Sequence, residues 1–61
     1  MIEVAVYQKR GHGTSHVGSG QIVALPYKGD LIYVGNQPWQ VLYNVIGLDD
    51  TVVDVYVREE E

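Results

Sequence analysis

The 61-residue chain contains no cysteine. That removes disulfides, and with them zinc or iron–sulfur centres built on thiolates. No run approaches the ~18 apolar residues that a membrane-spanning helix needs. The opening residues, MIEVAVYQKR, lack the order of a secretory signal, in which charge precedes an apolar run. The final REEE carries no lipidation signature. Four basic residues stand against eight acidic ones, for a net charge of −4. That balance opposes broad nucleic-acid affinity, which needs a positive field. Together these absences lead us to expect a cytoplasmic protein with no membrane partner. A short chain starting at Met1 without export signals suits a viral or mobile-element accessory protein, in which case the compartment is the host cytoplasm.

Helical periodicity is missing too: no window repeats apolar residues at helical spacing over two turns. What is abundant is valine, with eleven copies, joined by four isoleucines, five tyrosines and one tryptophan. β-branched and aromatic side chains fit a pleated surface and lose rotamer freedom in a helix. Alternation marks IEVAVYQ, with Ile2, Val4 and Val6 on one face, and TVVDVYVR, with Val53, Val55 and Val57 on one face. Between them QIVALPY, LIYV and WQVLYNVI complete five strands. Gly35-Asn36 and YKGD supply turns. The alternation predicts Trp39, Val41, Tyr43 and Val45 on one face of the longest strand.

The expected fold is a single all-β domain over residues 1–61. It is a small five-stranded antiparallel sheet, either curled into an SH3-like barrel or left open and completed by oligomerisation. A core of this size rarely supplies more than about 3–5 kcal/mol, so self-association is an expected support. IEVAVYQ and TVVDVYVR are candidate edge strands. Residues 59–61 form an acidic end suited to solvation.

The stretch KRGHGTSHVGSG, residues 9–20, holds four of the seven glycines and both histidines, and reads as a long glycine-rich loop. Charge divides along the chain, with +2 over residues 1–28 and −6 over residues 29–61. GHGTSH misses the dinucleotide fingerprint at His16, and GTSHVGS has Ser19 where a P-loop requires lysine. A looser anion site remains arguable. Backbone N–H groups of the glycines, with Lys9, Arg10, His12, Thr14, Ser15, His16 and Lys28, could hold a phosphate, a nucleotide or a nucleic-acid backbone.

His12 and His16 stand four apart, a spacing that aligns metal ligands only on a helix, which Gly11 and Gly13 oppose. No metal, cofactor or catalytic residue is expected. Serine, histidine and aspartate are present as ingredients of a nucleophilic site, but a flexible loop is a poor scaffold for one. Trp39, Tyr43 and Tyr56 are the candidate interface residues, since Trp and Tyr anchor many protein contacts. The expected function is therefore a non-enzymatic protein–protein interaction module. Its partners would be other copies of itself and a further protein, and an anion-binding protein using residues 9–16 is the alternative.

Overall fold

A computed structural model describes residues 1–59, and Glu60 and Glu61 of the acidic end lie outside them. The chain forms five strands: β1 (Ile2–Arg10), β2 (Gly13–Ile22), β3 (Leu31–Val34), β4 (Gln37–Val45) and β5 (Val52–Glu59). They make one sheet in the order β2-β1-β5-β4-β3. It curls through 203° into a half-barrel consistent with an open SH3-like barrel.

Both tight hairpins rest on glycine. Gly11 (φ 44°) and Gly35 (φ 64°) take the first central position of two-residue turns, followed by His12 and Asn36 at negative φ. That is the pattern of a type II′ turn, whose twist matches the flanking strands. At Gly29 (φ 93°) the chain turns again, with Asp30 N–H donating to Tyr27 C=O at 3.0 Å. Asp30 Oδ2 accepts from Tyr27 N–H at 2.8 Å and closes the same turn from the side.

The expected loop over residues 9–20 is replaced by a hairpin. Lys9 and Arg10 end β1, only residues 11 and 12 turn, and residues 13–22 pair with β1 from Arg10↔Gly13 to Ile2↔Ile22, with one slip at Val17. Glycine weakens a strand but does not forbid one, and here β1 supplies the whole ladder. QIVALPY contributes only Gln21 and Ile22 to a strand. Pro26 has no N–H to give, and Val23 is 85% exposed.

The sheet is mixed rather than antiparallel throughout, because β1 and β5 pair in parallel, from Glu3↔Val52 to Gln8↔Val57. Residues 23–30 carry the chain from one end of the strand order to the other. The β3-β4-β5 meander then returns to β1 from the far side, with β5 running the same way. IEVAVYQ and TVVDVYVR accordingly lie at the centre, and the edges are β2 and β3.

Val4, Val6, Val41, Val55, Val57 and Trp39 form the buried core inside the curl. Leu25 packs against them from the 23–30 segment, which Asn44 holds by donating Nδ2–H to Pro26 C=O at 3.0 Å. The single-face expectation for β4 fails at Leu42. The register with β5 slips there, from Val41↔Val57 to Tyr43↔Tyr56. One extra residue in a strand turns everything after it over. Tyr43 and Val45 therefore emerge on the outside of the curl, and Asn44 takes the inside beside Val55.

Candidate functional site

The site is a gap. A sheet curled by 203° does not close, and among the described residues β2 and β3 have no hydrogen-bonded strand partner on their outer sides. On β2, Gly18 stands opposite Val6, Gly20 opposite Val4 and Ile22 opposite Ile2, while Val17, at a slip in the register, also packs against the core. Gly18 and Gly20 carry no side chain. Opposite Val4 and Val6 the strand therefore adds no side chain to the core.

The result is a cleft of about 250 Å³. Its walls are residues 19–22 of β2 and residues 32–35 at the end of β3, and its floor is Val4, Val6, Val55 and Pro26. Among the described residues no Asp, Glu, Lys, Arg or His lines it. A Cβ built on Gly20 meets nothing within 4 Å, so that wall is bare backbone facing open space. At Gly18 the gap narrows, for a Cβ there would come within 2.8 Å of Val34 Cγ1. The cleft is thus a wedge, pinched at Gly18 and Val34 and open beside Gly20.

Neither edge strand carries Asp, Glu, Lys or Arg, and the one basic side chain on them, His16 of β2, faces the outside of the curl beside Tyr7. Edge strands are usually guarded by charge or proline against pairing with another chain. On β3, Leu31 is 50% and Tyr33 69% exposed. Val41 N–H donates to Asp30 C=O at 2.8 Å. Antiparallel ladders alternate bonded and non-bonded pairs. Leu31↔Gln40 and Tyr33↔Pro38 are then non-bonded pairs, consistent with proline at position 38. The N–H and C=O groups of Leu31 and Tyr33 accordingly point out of the free edge.

The expected anion-site residues do not converge. Lys9 sits on the outer face of β1, where Nζ donates to Tyr43 Oη at 2.8 Å and lies 5.3 Å from the ring centroid. The hydrogen bond, and then the charge of the phenolate, raise its pKa above the ordinary 10.5. Thr14 and His16 share the outer face, as partners of Lys9 and Tyr7. Ser15 falls between them, opposite Gln8, and Arg10 pairs with Gly13 at the tip, next to His12 in the turn. Lys28 belongs to the 27–30 turn beside β4. There it shares a shallow depression of about 290 Å³ with Arg58, a cation that reading the 9–20 stretch overlooked.

Among the interface candidates, Trp39 is core, only 6% exposed. Tyr43 and Tyr56 join Tyr7 and His16 in a row across four adjacent strands. Tyr7 stacks on Tyr56 (centroids 5.6 Å apart), Tyr56 on Tyr43 (5.0 Å), and His16 meets Tyr7 edge-on at 5.4 Å. The rings spend their faces on one another, which leaves little π-surface to receive a nucleobase.

No family model, curated protein or solved structure matches the chain.

Proposed function

We propose that this chain is a non-enzymatic protein-interaction module that captures an extended segment of a partner along the open seam of its half-barrel. The observation that carries the reading is the pairing of two strand edges, free of Asp, Glu, Lys and Arg and without a strand partner among the described residues, with an apolar cleft between them. Strand addition uses such an edge for affinity and the adjoining pockets for specificity. Ser19 is the sole serine at the cleft, and neither histidine lines it, which favours binding over catalysis. Selection from a random peptide library displayed on phage tests the reading. Enriched peptides should be uncharged and β-prone, and should shift the amide resonances of residues 19–22 and 31–35. Enrichment of peptides that perturb another surface would overturn it.

Self-association is a related use of the same edges, since β2 of one copy can meet β3 of the next. Light scattering would then give a multiple of 6.8 kDa, and Tyr33→Lys would return it to the single-chain mass. A second reading is an anion held between Lys28 and Arg58, favoured by the depression they share. Titration with inorganic phosphate should then move their side-chain resonances, and Arg58→Ala should abolish the effect.

A further inference from the structure

The chemistry of the captured segment follows from the register, given strand capture at β3 as proposed above. A strand added to β3 bonds to the outward N–H and C=O groups of Leu31 and Tyr33. The residue between those contacts lies opposite Ile32. Ile32 faces the core side, and residues directly opposite on paired strands share a face. The incoming residue opposite Ile32 therefore points into the cleft, towards the bare backbone of Gly20, while its neighbours point outward beside Leu31 and Tyr33.

We infer that the seam takes an uncharged extended segment and selects one large apolar side chain, of the size of Leu, Met or Phe, at the position opposite Ile32. Three observations set that choice. First, the volume of about 250 Å³ exceeds the ~150 Å³ of an apolar cavity able to hold benzene, so one large side chain fits. Second, the lining formed by the described residues offers a charged group no counter-ion, and an ionised side chain placed there would lose its water without compensation. Third, Gly20 leaves open space where any other residue would project. Glycine inside a strand often marks the close approach of another chain.

The test uses three soluble hexapeptides of threonine, carrying Phe, Ala or Asp at one central position, titrated into the ¹⁵N-labelled protein at millimolar concentration. The Phe peptide should shift the amides of Leu31, Tyr33 and Gly20. The Ala peptide should bind about tenfold more weakly, as loss of a buried apolar group implies, and the Asp peptide weaker still. Gly20→Leu fills the cleft from within. It should lower affinity for the Phe peptide at least to the level of the Ala peptide, while leaving the Leu31 and Tyr33 shifts in place. Gly20→Ala, a milder filling, should fall between. Tyr33→Pro removes an N–H that β3 does not use in its own ladder, and should abolish binding of every peptide.

Equal affinity for the Phe and Ala peptides, unchanged in Gly20→Leu, would overturn the side-chain pocket while leaving capture at the edge standing. Absence of any shift at Leu31 and Tyr33 with all three peptides would overturn both. A thermal melt of each variant separates loss of binding from loss of fold.

Discussion

Tyr43 stacks on Tyr56 with ring centroids 5.0 Å apart, on the side of the sheet opposite to Val41, which stands only two residues earlier and is buried in the core. In an unbroken strand those two positions would share a face. The extra residue at Leu42 separates them. It gives the solvent side of a very small sheet its own layer of contacts, with Tyr7, Tyr56 and Tyr43 in register on three neighbouring strands.

Tyr56 is the middle ring, with a stacked neighbour on each side. Each aromatic pair contributes about 0.5–1.5 kcal/mol beyond its buried area. Tyr56→Leu, which keeps apolar bulk but loses both stacks, should cost about 1–3 kcal/mol by urea denaturation. A double-mutant cycle between Tyr43 and Tyr56 should return about 0.5–1.5 kcal/mol of coupling. A coupling indistinguishable from zero would mean that the stack adds nothing beyond the area it covers.

Lys9 crosses β5 to reach the end of this row, and its pKa is raised, first by the hydrogen bond to Tyr43 and then by the charge that phenol gains on ionising. A group whose folded pKa lies above its ordinary value adds stability while protonated in both states. The contribution is therefore complete below pH 10.5 and is lost as pH rises through the higher folded value. Tyr43→Phe keeps the ring and removes the oxygen. The Lys9 titration, followed by NMR of its ε-methylene, should move down towards the ordinary value in that variant. A titration that does not move would show that the contact is not populated in solution.

Much of the core was readable from alternation alone. Val4, Val6, Val55 and Val57 are buried as their spacing predicts, and Gly35 and Asn36 turn the chain where a glycine-led pair should. The slips at Val17 and Leu42 were not readable, because an extra residue leaves no composition signature yet reverses every side chain beyond it. The glycine-rich stretch misled for another reason. Glycine marks turns and also marks strands that another backbone approaches, and only the long-range pairing with β1 decides between them. The cleft did leave a trace in SHVGSGQI, where glycine takes alternate positions before Ile22. The position of β1 was needed to show that those positions face inward.

Asn44 joins the sheet to the segment that crosses it. Its Nδ2 donates to Pro26 C=O at 3.0 Å, and its Oδ1 is buried without a partner among the described residues. Asn44→Ala removes a made bond and an unmet acceptor together, so its cost should be small, about 0.5–1 kcal/mol. Asn44→Asp replaces the donor with a second acceptor and adds charge in a half-buried place, and should cost about 1–3 kcal/mol. Urea midpoints rank the two variants. The reverse ranking would place the Asn44 side chain in water rather than against Pro26.

Gly18 and Gly20 stand two residues apart on the same face of the same strand, and alanine should act on them in opposite directions. At Gly18 the new Cβ would lie 2.8 Å from Val34 Cγ1, inside van der Waals contact, and valine has one stiff torsion with which to retreat. Overpacking of this kind costs about 1–3 kcal/mol. Pairing Gly18→Ala with Val34→Ala should recover part of that loss, since the second change removes the atom the first one strikes. At Gly20 the Cβ meets nothing, so Gly20→Ala should gain about 0.4–1 kcal/mol by restricting the unfolded chain. Urea denaturation with matched m-values distinguishes the two. If both alanines destabilise equally, the opening beside Gly20 is closed in solution, and the cleft between β2 and β3 would have to be abandoned as a binding site.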